Sequence, residues 1–237
     1  MATVILVRHG RTTANASGVL AGRTAGVKLD EDGRRQAAAT AERLTPVPLV
    51  GVVSSPLERC RQTTRAIVEA RTDAPVTVDG GISECDYGDW QGRALKELAK
   101  EKLWRTVQEQ PSAATFPGGE SMRAMQDRAV AAIRRHDARV AAEHGEDAVW
   151  VAVSHGDVIK SVLADALGTH LDLFQRIHVD PASVSIVRYT ESRPYVIGTN
   201  THAGDLSWLT PSRKKARTRR RTDAEVGGGA GPRTAGS

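Results

Sequence analysis

The sequence predicts an α/β fold with a mainly parallel central sheet. Three short runs of Val, Leu and Ile, at residues 4–7, 49–53 and 149–153, are continuous rather than alternating. Such runs are typical of strands that are covered on both faces. Helical patterns separate them, and this alternation of strand and helix favours parallel strands joined by helices. With 237 residues, the chain is long enough for one large domain with a substantial core, or for two small ones.

Residues that start or stop helices set the boundaries in the first half of the chain. A helix at 32–44 is rich in Ala, Arg, Gln and Glu, and it ends before Pro46. The next helix follows the second strand and runs to about residue 70. We expect Ser55 to be its N-cap, with Pro56 in its first turn.

The elements of the second half are predicted in the same way. Pro111 stops one helix, and Gly145 and Gly168 are the expected C-terminal caps of two more. We place these helices at 95–108, 121–144 and 157–167, and two late strands at 183–189 and 195–199.

The net positive charge of the chain is concentrated at its C-terminus. There are 33 Lys and Arg against 28 Asp and Glu, a formal net charge of +5, and the pI is about 9.5. Residues 211–237 hold eight basic and two acidic residues, and seven of the basic ones fall within 213–221, before a Gly-rich stretch. We therefore expect a nearly neutral folded domain over 1–210 and a basic, Gly-rich disordered tail over 211–237.

Several classes of protein are disfavoured by the composition. The chain has no apolar run near 18 residues, which a membrane span requires. Its N-terminus lacks the basic region of a signal peptide. The two cysteines, Cys60 and Cys85, form no CxxC pair and no disulfide framework, so we expect small buried thiols. A cytoplasmic protein without membrane association is the simplest interpretation.

Two of the predicted strands end at a histidine that is followed by glycine. The first strand runs into Arg8, His9 and Gly10, and the strand at 149–153 runs into His155 and Gly156. Ligands of open α/β sheets bind outside the carboxyl ends of the strands. If these strands are neighbours, the two histidines converge, and each glycine allows a close approach by a ligand or another backbone segment.

Arg59 adds a phosphate-binding group to the same edge. It lies in the first turns of the helix after the second strand, where backbone N–H groups also favour an anion. The guanidinium groups of Arg8 and Arg59, with a histidine pair, predict a pocket for a dianion without a metal or a cofactor. The sequence contains no HExxH zinc motif, no phosphate-binding P-loop and no GxSxG nucleophile motif.

Four blocks of the sequence resemble the signatures of the histidine phosphatase (phosphoglycerate mutase-like) superfamily, in order and in spacing. They are RHG at 8–10, SSPLER at 54–59, ECDYG at 84–88 and SHG at 154–156. The resemblance covers about residues 1–200. It implies a three-layer α/β/α sandwich and a covalent phosphohistidine mechanism.

The resemblance also implies roles for individual residues. By motif position, His9 is the nucleophile that takes the phosphoryl group, and Glu84 is the general acid and base; His155 adds a further phosphoryl contact. From the residues alone, Asp86 and Asp89 are alternatives for the role of Glu84. The residues expected to bind the phosphoryl oxygens are Arg8, Asn15, Arg59 and His155. The histidines that match no block, and that we expect to be structural or exposed, are His136, His144, His170, His178 and His202.

Departures from the mutase pattern favour a phosphatase. Arg11 and Thr12 stand where phosphoglycerate mutases usually have Glu and Ser, and Cys85 and Asp86 replace an Arg-His pair. The PGGES stretch at 117–121 is similar to that of the phosphatase branches, and the longer basic insertion of the mutases is missing. Because Arg11 and Asp86 would give the pocket mouth mixed charge, a sugar phosphate is as plausible a substrate as a phospho-acid.

Three functions stay open on the sequence alone. The first is a metal-independent phosphomonoesterase that hydrolyses a small phosphorylated metabolite, and the second is a phosphomutase. The third is a non-catalytic protein that binds nucleic acid or another polyanion through the tail at 211–237, for which salt-sensitive binding is expected. A homodimer is compatible with the sequence.

Overall fold

The computed structural model describes residues 1–70, 74–204, 226, 227 and 229. The six strands of the described residues are β1 (Thr3–Arg8), β2 (Leu49–Ser54), β3 (Val76–Val78), β4 (Val149–Ser154), β5 (Val184–Arg188) and β6 (Tyr195–Thr201). The α-helices are α1 (Thr13–Ser17), α2 (Glu31–Leu44), α3 (Glu58–Glu69), α4 (Leu95–Leu98), α5 (Lys102–Glu109), α6 (Met122–His144) and α7 (Gly156–Ala166).

The strands form one sheet in the order β3-β2-β4-β1-β5-β6. The pairs β2–β3, β2–β4 and β1–β4 are parallel, whereas β5 is antiparallel to both of its neighbours. In register, Arg8 at the end of β1 lies opposite Ser154 at the end of β4, and β4 also pairs with β2. The carboxyl ends of β1, β2 and β4 therefore meet at one edge of the sheet. The predicted α/β class and mainly parallel sheet are confirmed.

Helices cover both faces of the sheet. Alternate residues of β1 enter two hydrophobic clusters: Val4 and Leu6 pack with residues of α6 and α7, and Ile5 and Val7 pack with residues of α2 and α3. This alternation explains the continuous apolar runs, since each strand must present apolar side chains on both sides. The resulting α/β/α layering agrees with the architecture that the resemblance implied.

Most predicted helix ends agree with the structure, and two predictions were wrong. Gly145 and Gly168 follow α6 and α7 with φ of +90° and +65°, which glycine adopts without strain. The single helix predicted at 95–108 is two helices, because Glu101 has an extended backbone and pairs with Arg93 at 2.6 Å. Local helix propensity gives way here to tertiary contacts.

Ser55 is not the N-cap of α3. Leu57 occupies that position without a side-chain capping hydrogen bond, and Pro56 precedes the helix rather than lying in its first turn, as was predicted. The hydroxyl of Ser55 lies instead 2.8 Å from Nε2 of His155. A residue that the sequence suggested for a local role therefore makes a long-range contact. The short edge strand β3, with three residues, carries too little pattern to be predicted.

The described residues include no helix that is long and apolar enough to span a membrane. Cys60 and Cys85 are both buried as free thiols. Most of the predicted tail at 211–237 lies outside the described residues. Within the tail, the structure describes Val226, Gly227 and Gly229, and Val226 is buried.

Candidate active site

The sheet brings His9 and His155 together. Because β1 and β4 are adjacent and parallel, the residues that follow them leave the sheet side by side. The backbone N–H of His9 donates to the carbonyl of Ser154 at 3.0 Å. The two imidazole rings lie edge to face, with 5.3 Å between their centroids. Both are almost fully buried.

Gly10 allows the chain after His9 to pass close to another segment. A Cβ atom at Gly10 would lie 2.3 Å from the carbonyl oxygen of Gly33 at the start of α2. The N–H of Gly10 also donates to Oγ1 of Thr63 on α3 at 3.1 Å. The glycine after His9 thus serves the close backbone packing that fixes the position of the histidine.

Hydrogen bonds define the tautomer of His9. Its Nδ1 lies 2.8 Å from the carbonyl oxygen of Gly10, which can only accept, so Nδ1 carries the proton. The other nitrogen, Nε2, then has the lone pair, and it accepts from Nε of Arg59 at 3.2 Å. The basic nitrogen of His9 therefore faces the guanidinium group of Arg59.

His155 has the opposite tautomer. Nη2 of Arg59 lies 3.1 Å from Nδ1 of His155, and because arginine only donates, Nδ1 is the acceptor. Nε2 of His155 then carries the proton and donates to Oγ of Ser55 at 2.8 Å. One arginine thus orients both imidazoles.

The same surroundings keep both histidines neutral. Burial lowers the pKa of His9 well below its usual value, and the charges of Arg59 and Arg8 lower it further. Burial is also the main cause of the lowered pKa of His155, followed by the charge of Arg59. A neutral imidazole with an available lone pair is the form that can act as a nucleophile.

Backbone carbonyl groups hold the two arginines in place. Nη2 of Arg59 donates to the carbonyl of Gly22 at 2.8 Å, and Nη1 of Arg8 donates to the carbonyl of Val179 at 2.9 Å. Burial lowers the pKa of Arg8, although a guanidinium group keeps its proton in proteins. Two fixed positive charges therefore lie beside the histidine pair, which is a suitable setting for a phosphoryl group.

Glu84 lies on the loop after β3 and reaches the same site. Only 3% of the residue is exposed, and Oε2 lies 3.9 Å from Nδ1 of His155. Its Oε1 accepts from the N–H of Cys85 at 3.0 Å. Burial, with the nearby negative charge of Asp157, raises the pKa of Glu84 to about 7. A carboxyl group with such a pKa can both donate and accept a proton near neutral pH.

Arg128 on α6 fixes the loop that carries Glu84. Its guanidinium group donates to the carbonyls of Gly81, Ser83 and Glu84 at 2.9, 2.8 and 3.0 Å. It is itself bound by the carboxylate of Glu120, to which Nε donates at 2.9 Å. The loop backbone is thus anchored to a long helix of the core, which holds Glu84 at the pocket.

Asp157 is a site residue that the sequence reasoning missed. It is fully buried in the first turn of α7, and its Oδ2 accepts from the hydroxyl of Tyr87 at 2.8 Å. Its place directly after the second His-Gly pair was the available signal. Its charge raises the pKa of Glu84, so it belongs to the electrostatics of the site.

Of the three carboxylates proposed as the general acid, one lines the pocket beside His9. Glu84 lines it, whereas Asp86 and Asp89 are not among the described lining residues. Asp86 instead accepts from the N–H of Gly88 at 3.1 Å. Arg11 is also not among the described lining residues, since it pairs with Asp30 at 2.8 Å. The mixed-charge pocket mouth that the sequence suggested stays a prediction, and Asp86 lies 3.6 Å from Arg23, which follows the lining residue Gly22.

Asn15 lines the pocket from α1, but its carbonyl oxygen is already engaged. The Oδ1 atom accepts from the N–H and the hydroxyl of Thr12 at 3.1 and 2.9 Å, and the hydroxyl of Thr12 accepts in return from the N–H of Asn15. This reciprocal cap holds the short helix against the pocket. A phosphoryl group would therefore have to be bound by the amide nitrogen of Asn15.

The other histidines lie away from His9. His136 is buried against Asp79 at 2.7 Å, and His178 and His202 both contact Asp180, at 2.9 and 3.2 Å. His144 and His170 are exposed. Among residues 1–70 and 74–204 and the described tail positions, no group of three His, Cys, Asp or Glu side chains could hold a metal ion.

The chain is similar to known proteins over most of its length. Phosphoserine phosphatase 1 of Hydrogenobacter thermophilus is 30% identical over 210 residues, which cover 87% of this chain and 96% of the relative. A protein named "Probable phosphoglycerate mutase GpmB" of Salmonella choleraesuis is 30% identical over 212 residues, covering 88% and 95%.

A solved structure is similar over the same part of the chain. The mycobacterial glucosyl-3-phosphoglycerate phosphatase in complex with VO3 is 25% identical, with a TM-score of 0.74, and the match covers 84% of this chain and 99% of that one. The family model for the histidine phosphatase superfamily (branch 1) matches residues 4–202. The chain is an enzyme that belongs to the histidine phosphatase superfamily, branch 1.

Proposed function

We propose that the protein is a metal-independent phosphomonoesterase that hydrolyses a small phosphorylated metabolite through a phosphohistidine on His9. One observation carries the proposal: the lone pair of His9 Nε2 lies against the guanidinium group of Arg59, in a pocket that also contains Glu84. The site supplies a nucleophile, fixed positive charge and a proton donor from the protein alone.

In the first step, Nε2 of His9 attacks the phosphorus atom and the bond to the leaving-group oxygen breaks. Protonated Glu84 gives its proton to that oxygen, so the leaving group departs as an alcohol. Arg59 and Arg8 stabilise the charge on the phosphoryl oxygens during transfer, and the N–H at Nδ1 of His9 stays bound to Gly10.

In the second step, a water molecule attacks the phosphohistidine. The carboxylate of Glu84, formed in the first step, takes a proton from the water, and the bond between phosphorus and Nε2 of His9 breaks. Phosphate leaves, and both residues return to their starting protonation states. Because the pKa of Glu84 is raised to about 7, the group serves as acid and then as base at neutral pH.

The pocket walls favour a leaving group without charge. Its ionisable described lining residues are His9, Arg59 and Glu84, all of which the phosphoryl chemistry uses. Apart from Val226 and Gly227 of the C-terminal region, the other lining residues are neutral, and several are small: Thr12, Ala14, Asn15, Gly18, Val19, Leu20, Ala21, Gly22 and Leu95. We therefore place a neutral sugar or alcohol phosphate ahead of a phospho-acid.

A panel of phosphorylated metabolites tests this preference. We expect kcat/KM to be about tenfold or more higher for neutral sugar phosphates than for phosphoglycerates or phosphoserine, because a carboxylate would be desolvated without a dedicated cation. The products distinguish hydrolysis from mutase activity, since a mutase would isomerise 2- or 3-phosphoglycerate without releasing phosphate. Higher kcat/KM for the phospho-acids would contradict the preference.

Replacing the nucleophile should abolish turnover. With p-nitrophenyl phosphate in the presence of EDTA, we expect the wild type to turn over and His9→Ala to lose about 10³-fold or more in kcat/KM. His144→Ala is the matched control, since this histidine is exposed at the end of α6. Loss of wild-type activity in EDTA, or full activity in His9→Ala, would refute the mechanism.

The role of Glu84 predicts a pH dependence that varies with the leaving group. For an alkyl phosphate, kcat/KM should fall by about tenfold per unit as the pH rises above the pKa of Glu84, because the acid form is lost. That pKa is about 7. For p-nitrophenyl phosphate, whose leaving group needs no proton, the fall should be much smaller. Protonation of His9 should cause no fall of kcat/KM near the ordinary pKa of histidine, because the pKa of His9 is lowered well below that value.

Glu84→Gln should remove the fall of kcat/KM at high pH. It should also slow alkyl phosphate hydrolysis by about 10²–10⁴-fold. Asp86→Asn is the matched control, since it neutralises a nearby carboxylate that does not line the pocket. An unchanged pH profile in Glu84→Gln, or a larger loss in Asp86→Asn, would assign the acid role elsewhere.

A further inference from the structure

Two residues of the C-terminal region lie in the active-site pocket. Val226 is 1% exposed and packs into the hydrophobic core cluster that includes Leu20 and Tyr87. Val226 and Gly227 line the same pocket as His9 and its neighbours. A segment that is remote in sequence from the catalytic blocks is therefore buried at the reaction centre.

Both backbone groups of Gly227 bind charged residues of the site. Its N–H donates to Oδ2 of Asp157 at 2.8 Å, and its carbonyl oxygen accepts from Nη2 of Arg8 at 3.4 Å. These partners are fully buried. The contact thus uses one of the guanidinium nitrogens that the mechanism gives to the phosphoryl oxygens.

The local conformation of the segment requires glycine. Gly227 has φ of +76°, and a Cβ atom there would lie 2.9 Å from Cδ1 of Leu20. A larger residue would therefore be strained and would meet the pocket wall. The contact is specific: the side chain of Val226 is buried, and both the N–H and the carbonyl group of Gly227 are hydrogen-bonded.

With the segment in place, little room is left for a substrate. The cavity beside His9 has a volume of about 20 Å³, which is enough for about one water molecule. A phosphorylated metabolite is far larger, and it needs the guanidinium group that the Gly227 carbonyl contacts. Substrate and segment therefore compete for the same space and for Arg8.

We propose that Val226–Gly227 is an autoinhibitory plug, which binds the active site in cis and must leave before a phosphate monoester enters. Twenty-one residues lie between Gly204 and Val226. At about 3.3 Å per residue, such a length can cross a domain of this size. This proposal rests on the proposed function, because the substrate that competes with the plug is taken to be a phosphate ester.

A plug of this kind affects KM and leaves kcat unchanged. The apparent affinity for substrate falls with the fraction of molecules that are open, whereas saturating substrate displaces the plug completely. A variant that weakens the plug should therefore lower KM. This signature differs from that of a segment that contributes to substrate binding, whose loss would raise KM.

Val226→Asp and Gly227→Ala in the chain of 237 residues test the plug. The first puts a charge into an apolar contact, and the second places a methyl group at a positive φ against Leu20. We expect KM for p-nitrophenyl phosphate to fall by about threefold or more in Val226→Asp, and less in Gly227→Ala, with kcat within about twofold of wild type. Val78→Asp, at a 54% exposed position of the edge strand β3, is the control and should match wild type.

A peptide of residues 222–230 provides the converse test. Added to Val226→Asp, it should inhibit competitively with substrate, and the same peptide carrying Val226→Asp should not. Thermal melting by circular dichroism establishes that each variant is folded. If Val226→Asp does not fold, Gly227→Ala decides the question. Unchanged KM in folded variants, or a rise in KM, would overturn the plug.

Titration calorimetry with inorganic phosphate separates the two proposals. If no form of the enzyme turns over substrate, the proposed function fails, but phosphate affinity still reports access to the pocket. Tighter phosphate binding in both tail variants than in wild type would support the plug independently of activity. Equal affinity in wild type and variants would refute it.

Discussion

The position of the Arg59 guanidinium group, between two neutral imidazoles, is the constraint on which the rest of the site depends. It donates to Nε2 of His9 and to Nδ1 of His155, at 3.2 and 3.1 Å. This placement requires β4 between β1 and β2, because α3 follows β2 while the histidines follow the other two strands. The order of the strands thus allows one arginine to contact histidines from two distant parts of the sequence.

The local arrangement of charge has more influence on the chemistry than the net charge of the chain. The positive groups at the site are buried arginines, and they lower the pKa of both histidines. Burial and Asp157 act in the opposite direction on Glu84, whose pKa they raise. The same small volume therefore contains a neutral nucleophile and a carboxyl group that is partly protonated near neutral pH. The basic run at 213–221, which dominates the net charge, lies outside the described residues.

The sequence was sufficient to predict the mainly parallel sheet and the convergence of His9 and His155, because strand ends and glycines carry strong local signals. It could not show that Ser55 contacts His155, since that hydrogen bond depends on the neighbouring strand. Arg11 looked like a pocket residue by its position after Gly10, yet it pairs with Asp30 and is not among the described lining residues. The burial of Val226 had no signal in a Gly-rich stretch, because it depends on a pocket built by remote residues.

The central claim is that Nε2 of His9 carries the phosphoryl group, and direct identification of the intermediate tests it best. Glu84→Gln should accumulate phosphoenzyme, because it lacks the base that activates water. The protein would be mixed with p-nitrophenyl phosphate, whose leaving group needs no proton from Glu84, and quenched in alkali, which preserves phosphohistidine. It would then be analysed by peptide mass spectrometry and phosphorus NMR. The account predicts one phosphoryl group per chain, on Nε2 of His9. A phosphoryl group on Nδ1, on His155 or on any other residue would contradict it.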